Sequence, residues 1–588
     1  MTADTERWPR YAAATALERE LGDPRDARNP LGFAAAAGRD ADESRPHALA
    51  AQAGPRLRTA FVPAALGGTM EALDATLMLV RTAARRDAAI MPATMFGITA
   101  ATCVLIAGSP GQREHVVRLL RQGGSLGFAL SEADHGSDLL ANDTRAEEVA
   151  GGYALTGEKW LVGLGGGCDG LLVVARTGGR GPAAFSALLL DGEQAAAARR
   201  GTRRPTGMRG ADLAGFRFDG LTVPRDALVG GVGRGLETAM KAMQVVRTMS
   251  TAASLACADT GLRLAVDFAA AHRAAGREVL AHPGTRRELA TAAALLLAGD
   301  AVALTTARGL HTLPAAQSLW SSVAKKVLTD TSEEALARCA DVLGSRGVLR
   351  DGPYAAFDTL RRDNAVVRHI DTSPTANLRL VAAHFARLAA APSATDADPG
   401  GADALPEALA RTCTLDSPLP EPRLDRLELS DRGADPVLSA VPAVAADARE
   451  VLEKAGERRA ARAVTRLERA VSWLAHALRA RRGADPLRDQ DLAARLCWVH
   501  AAASCLLLWW HNRDRRLCGA PAGDPGWLTA ALTVLTARAA GRPGPLPEED
   551  AEAVLAAVLP LHEADRLFSL AALPLAHGGP APARGASA

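Results

Sequence analysis

The chain has 588 residues, 48% hydrophobic and 23% charged, so it is too long for one compact core and has the composition of a globular protein with several domains. Its 68 Lys and Arg against 66 Asp and Glu leave a formal charge of +2, which excludes the large basic excess of a dedicated nucleic-acid binder. Eight cysteines without a C-x-x-C pair exclude a disulfide framework and a zinc knuckle, so no metal site is expected.

Residues 1–125 predict an N-terminal helical domain, with Ala, Leu and Val at helical spacing between turns at Gly67-Gly68 and Ser109-Pro110-Gly111. No apolar segment of signal-peptide type opens it. Residues 126–230 predict a middle β domain, because the short runs Tyr153–Thr156, Leu171–Ala175, Phe185–Leu190 and Phe216–Val223 sit between Gly-rich turns. Long Ala/Leu segments near 236–272, 285–310, 315–344 and 376–391 predict a four-helix bundle over 231–391. Eight prolines between Pro392 and Pro442 read as a linker over 392–442. A helical extension follows over 443–575, and the small-residue tail 576–588 reads as disordered. Its apolar stretch Leu496–Trp510 is short for a bilayer span and contains His500. The expected fold class is mainly α with a central β domain, in a soluble, cytoplasmic protein without a membrane span.

The most specific stretch runs from Gly127 to Asp138. A strand-like Phe128-Ala129-Leu130 leads into Ser131, Glu132 and a turn at Gly136-Ser137-Asp138. Backbone N–H groups at such a strand end can approach an extended polar ligand, with Ser131 and Ser137 as added donors, although a plain loop would look the same. Across about residues 55–390 the chain resembles the acyl-CoA dehydrogenase family of flavoproteins. The motif Ala129-Leu-Ser-Glu-Ala-Asp-His-Gly-Ser-Asp138 is similar to that family's A-L-T-E-x-x-x-G-S-D signature. Val62-Pro63, Gly67-Gly68, Gly157-Glu-Lys-Trp-Leu-Val162, Val223-Pro224, Gly233-Arg-Gly-Leu236, Arg273-Ala-Ala-Gly276, Gly344-Ser-Arg-Gly347 and Arg362-Asp363 follow in the family's order.

The resemblance implies FAD between the β domain and the bundle, facing an acyl-CoA or acyl carrier protein thioester. It places Phe128, Leu130, Ser131, Gly136 and Ser137 at the cofactor, joined by Leu161, Val162 and Gly163 from the next flavin strand. Arg273, Gly344, Ser373 and Thr375 complete the implied cofactor set. Ser137, Arg247 and Thr372 would meet the substrate. The segment His369–Leu378 corresponds to the family's base loop and puts Asp371 at the position of the catalytic carboxylate, with Asn377-Leu378 resembling a variant of that loop from specialised-metabolite pathways. Proton removal from carbon needs a carboxylate in a dry site. Asp is shorter than Glu by about 1.5 Å, so the loop or the substrate must shift. The other reading of Asp371 is an N-cap for the helix near 376. A second base position known in the family falls on Val246, which is no acid, while Arg247 beside it reads equally as a substrate contact or as an ion-paired bundle residue.

Several residues depart from the family pattern: Gly163 replaces a hydroxyl residue, Ala275 a Phe, Asp341 a Gln, and Ile370 and Thr372 replace an aromatic and a Gly in the base loop. The expected activity is α,β-dehydrogenation of an acyl thioester in specialised biosynthesis, with an electron-transferring flavoprotein or another acceptor, in a homo-oligomer or a hetero-oligomer. The alternatives are a flavin-dependent oxidase or monooxygenase on the same fold, or a non-catalytic partner subunit of an active homologue. The Cys and His residues between Cys497 and Cys518 read as part of an apolar packing face.

Overall fold

The computed structural model describes residues 8–390 and 404–576, apart from 431, 432, 434, 482 and 484. Helices α1 (Ala12–Leu21), α2 (Phe33–Ala41), α3 (His47–Thr59), α4 (Leu73–Ala84), α5 (Ile90–Thr94), α6 (Ile98–Ala107) and α7 (Pro110–Arg121) form the first layer. Pro110 starts α7, where its missing N–H costs nothing, and Ser109 and Gln112 close a reciprocal capping box. α4 and α6 are buried almost throughout.

The middle domain is one eight-stranded sheet made of β1 (Leu126–Ala129), β2 (Arg145–Val149), β3 (Gly152–Gly163), β4 (Gly170–Arg176), β5 (Phe185–Asp191), β6 (Arg199–Arg203), β7 (Leu213–Pro224) and β8 (Leu228–Val229). The order is β6-β7-β3-β2-β4-β5-β8, and β1 pairs parallel to β4. A short α8 (Gly192–Ala198), capped by Asp191, separates β5 from β6. Leu155, Leu171, Leu190, Phe216 and Phe218 fill a small core of this domain's own.

The bundle is led by α9 (Gly235–Ala271), whose 37 residues extend about 55 Å. α10 (Pro283–Thr312) and α11 (Gln317–Leu343) follow. α9 and α10 are buried on nearly every face, which explains why they read as apolar all round rather than as amphipathic. The long fourth helix expected over 376–391 is absent. After α12 (Ala356–Val367), that range is divided between α13 (Pro374–Ala382) and α14 (Phe385–Ala390), with the break at Ala383-His384. Asp371 lies in the break between α12 and α13.

The expected linker needs a second correction. Residues 391–403 lie outside the described residues, but from Ala404 the chain forms α15 (Ala404–Cys413) and buries Cys413, Leu415, Leu424 and Leu427. The buried Arg308 of α10 holds this segment by donating to the carbonyls of Arg411, Thr412, Thr414, Leu415 and Ser417, and pairs with Asp74 at 3.0 Å. Residues 404–427 therefore form a strap held against the bundle. α16 (Pro436–Lys454), α17 (Arg458–Ala480), α18 (Pro486–His511), α19 (Gly526–Ala539) and α20 (Glu548–Glu563) complete the chain. The tail expected at 576–588 lies outside the described residues except for Ala576.

The extension is joined to the bundle by buried polar contacts. Arg81 of α4 pairs with Asp300 of α10 at 2.6 Å, and Asp300 also accepts from Ser569 and Leu570. Trp320 donates to Asp435, which caps α16. α10 and residues 487–511 are long and apolar enough to cross a bilayer, yet 100% and 78% of their apolar windows are buried in the fold, so both serve as core helices.

Candidate active site

A cavity of about 690 Å³ opens where the end of β1, the end of β3, α5, the middle of α9 and the α12–α13 loop converge. Its interior is apolar, and six of the nine methionines line it: Met91, Met95, Met208, Met240, Met243 and Met249. Arg203, Arg204, His369 and Arg379 line its solvent-exposed side. Among the described residues lining it, Asp371 is the only carboxylate.

The β1 end is built to keep its backbone strip in place. The carbonyl of Leu130 accepts from Asn142 Nδ2 at 2.8 Å and from Lys159 Nζ at 2.9 Å. Glu132 accepts from Lys159 at 2.8 Å and from the N–H groups of Asp143 and Thr144. Burial pushes the Glu132 carboxyl up, but the Lys159 ammonium and these donors outweigh it and hold it below the usual carboxylate range. The signature acid is therefore a clamp, and Ser131 and Ser137 line the cavity with hydroxyls that bond nothing among the described residues.

At the β3 end a bulge between Lys159 and Val162 breaks the strict alternation, and Leu161 adopts a left-handed φ of +53°. Trp160, Leu161 and Gly163 consequently all line the cavity, while Val162 points into the sheet's own core. Leu161 is 41% exposed, so part of its apolar side chain is left uncovered. A Cβ built on Gly163 would collide with Cδ2, Cγ and Cβ of Phe96, which occupies the room that a larger residue would take.

At the α12–α13 loop Asp371 adopts φ +72°, a costly conformation for a residue with a side chain. Ser373 caps α13 by accepting from the N–H of Ala376, so Asp371 is free of the capping role. Asp371 Oδ2 accepts from Arg247 Nε at 2.8 Å and from Thr372 Oγ1 at 3.1 Å, and Arg247 also donates to Thr372 Oγ1 at 3.2 Å. The Arg247 and Asp371 side chains are only 5% and 3% exposed. Oδ1 of Asp371 has no hydrogen-bond partner among the described residues.

Of the residues expected at the site, Phe128, Leu130, Ser131, Gly136, Ser137, Leu161, Gly163, Arg247, Asp371, Thr372 and Ser373 share this cavity. Val162, Thr375, Arg273 and Gly344 do not line it. Arg273 follows the far end of α9, 26 residues beyond Arg247 and so about 39 Å along the helix. It is exposed and donates to the carbonyl of Gly276. Asp341 is also exposed, with no ion-pair partner among the described residues, and Arg346 stacks on Phe268 instead of facing it. Sequence reasoning missed Phe96, the methionines and Lys325, which lies behind the Asp371 loop. The Lys325-Lys326 pair inside an apolar helix was the available signal for the last of these.

Sequence models of the acyl-CoA dehydrogenase middle domain and C-terminal domain match residues 127–221 and 233–384. An acyl-CoA dehydrogenase of Bacillus subtilis (strain 168) is 28% identical over 267 residues, 45% of this chain and 69% of that protein. A cyclohex-1-ene-1-carbonyl-CoA dehydrogenase of Geobacter metallireducens is 25% identical over 295 residues, 50% of this chain and 77% of that protein. Butyryl-CoA dehydrogenase from Megasphaera elsdenii superposes with a TM-score of 0.58 at 18% identity, over 65% of this chain and 100% of that one. The prolyl acyl carrier protein oxidase AnaB superposes with a TM-score of 0.57 at 17% identity, over 64% of this chain and 99% of that one. The chain thus carries, in series, the middle and C-terminal domains of the acyl-CoA dehydrogenase family.

Proposed function

We propose that this protein is an FAD-dependent acyl-thioester dehydrogenase that introduces an α,β double bond, with Asp371 as the base. The observation that carries the reading is that Asp371 is the one carboxylate among the described lining residues of an apolar cavity, with Oδ1 unengaged. The residues present fit the flavin end of the cofactor. The uncovered face of Leu161, the unengaged hydroxyls of Ser131 and Ser137 and the bulged β3 backbone suit a flat, edge-polar ring. When bound, FAD would supply the acceptor for the hydride equivalent leaving the β-carbon.

The remaining chemistry belongs to the chain. Arg247 and Thr372 hold Asp371 Oδ2, which fixes the carboxylate and directs Oδ1 to take the α-proton. The methionine lining gives an acyl group an apolar and adaptable surface, and it excludes water from the reacting carbons. The exposed Arg203, Arg204 and Arg379 favour an anionic carrier, the phosphates of coenzyme A or of a carrier protein's pantetheine arm. The base loop's Asn377-Leu378 supports a specialised biosynthetic role; the proposed setting is the cytoplasm, in a homo-oligomer that passes electrons to a flavoprotein or another acceptor.

Anaerobic visible spectra of the FAD-loaded protein with a panel of acyl-CoA and acyl carrier protein thioesters test this reading. Bleaching by one of them is expected, and Asp371→Ala should retain the flavin but lose the bleaching. Bleaching retained in that variant removes Asp371 from the mechanism. A second reading, a non-catalytic partner subunit, is favoured by the ion pair already engaging Asp371 and by the altered residues around 273 and 341. A colourless protein that refuses added FAD and co-purifies with a homologue would replace the first reading with this one.

A further inference from the structure

Behind the Asp371 loop lies a cation outside the arrangement described so far. Lys325 of α11 is 2% exposed and does not line the cavity, but both groups that its Nζ meets do. Nζ donates to the carbonyl of Val367 at 2.6 Å and lies 3.5 Å from Ser250 Oγ. Val367 ends α12, so the ammonium sits at that helix's negative end. Ser250 in turn donates to the carbonyl of Arg247.

One turn away on the same helix, the carbonyl of Ser322 accepts from Asn377 Nδ2 at 2.8 Å. Positions three apart share a helix face. The segment 368–376 is therefore fastened at both ends to a single turn of α11, with Asp371 between the two ties. The charged groups acting on Lys325 are Asp371 from the loop and Arg247 from α9. Lys326 on its own helix and Arg368 beyond α12 both turn to Asp330 instead.

We propose that Lys325 is a positioning residue: it fastens the start of the base loop, and through it the left-handed conformation in which Asp371 meets Arg247 and presents Oδ1 to the cavity. The inference rests on Asp371 being the proton-accepting carboxylate. Burial pushes the Lys325 ammonium down to about 8; Asp371 opposes that fall and Arg247 adds to it. The folded chain thus releases this proton at a lower pH than the unfolded chain. Stability gained from Lys325 rises as pH climbs above about 8, and at neutral pH the buried charge is a cost. A residue kept at a cost beside the site is better explained by its tie to the loop than by support of the bundle.

Hydrogen exchange of the full-length protein, read by mass spectrometry on the peptide spanning 367–373, tests the tie. Lys325→Met should speed exchange there by about tenfold or more, with the other bundle peptides changed less than about twofold, and Lys325→Arg should restore most of the protection. In the wild type, the opening of this peptide, corrected for intrinsic exchange, should decrease between pH 7 and pH 9, because the closed state gives up the Lys325 proton at the lower pH. This arm decides the matter even if a variant fails to fold. Wild-type-like exchange at 367–373 in Lys325→Met, or no pH dependence in the wild type, overturns the proposal. So does a loosened loop whose flavin bleaches at the wild-type rate with the acyl-CoA that reacts fastest. Bleaching that survives in Asp371→Ala instead overturns the base assignment, so the two failures are told apart by which variant keeps the colour change.

Discussion

Two buried arginines on adjacent bundle helices show how differently one charge can be used. Arg308 of α10 is surrounded by five carbonyls and Asp74, so every direction of its fork is met. Arg247 of α9 meets Asp371 and Thr372, and Asp371 keeps one oxygen with no partner among the described residues. A fully paired buried charge is an anchor, and a pair with an open oxygen on a cavity is poised for chemistry. The contrast separates the seam that holds the extension from the surface that meets a ligand. The same imbalance recurs on the cavity side at Asp363, which accepts from the N–H of the cavity-lining Met208. Burial, with the Asp87 and Asp40 carboxylates adding to it, pushes its carboxyl up to about 7.

Breaking the saturated site should have the largest effect on stability. Arg308→Met removes a donor from five carbonyls and leaves Asp74 with Arg10 and Tyr11 alone, and chemical denaturation should show a loss of about 3–5 kcal/mol. Limited proteolysis should then cut within 404–430, where the strap is released. A variant as stable as the wild type would dissolve the contrast. Next comes Asp363→Asn, which keeps an acceptor for Met208 but removes the charge. With a folded pKa of about 7, above the unfolded value, the stability from Asp363 is present at low pH and lost as pH rises through 7. The Asn variant should therefore gain on the order of 2 kcal/mol over the wild type at pH 8 and nothing at pH 4. Equal shifts at both pH values would show that charge is not the cause. The smallest effect is expected from Arg247→Lys, which keeps the charge but loses the fork that reaches both Asp371 and Thr372. Bleaching should slow about tenfold with little change in unfolding.

The legible parts of the sequence were those where one residue type does one local job. Gly-rich turns marked the strands of the middle domain, and Asp371 could be located because a motif surrounds it. What was illegible depended on distant partners. The prolines after 391 look like a linker until Arg308, about a hundred residues earlier, supplies donors for the carbonyls beside them. The run from 376 reads as a single helix but breaks at Ala383-His384, and its first part begins two residues earlier, at Pro374, where Ser373 supplies a cap. Val162 and Leu161 exchange the roles that alternation assigns them, because a bulge has no period of its own. Lys325 carries no local signal beyond being charged in an apolar helix.

The contact between Gly163 and Phe96 makes these two positions interdependent. A hydroxyl residue introduced at 163 alone meets the Phe96 ring, which comes from a different domain, so the change is blocked as long as Phe96 stays. Replacing Phe96 with a small residue first would leave a gap against the β3 end that a serine at 163 could then fill. The order of substitutions matters: one route passes through a loosened cavity wall, the other through a collision. Any lineage or laboratory that restores a side chain at 163 must therefore reshape the helical domain before the sheet.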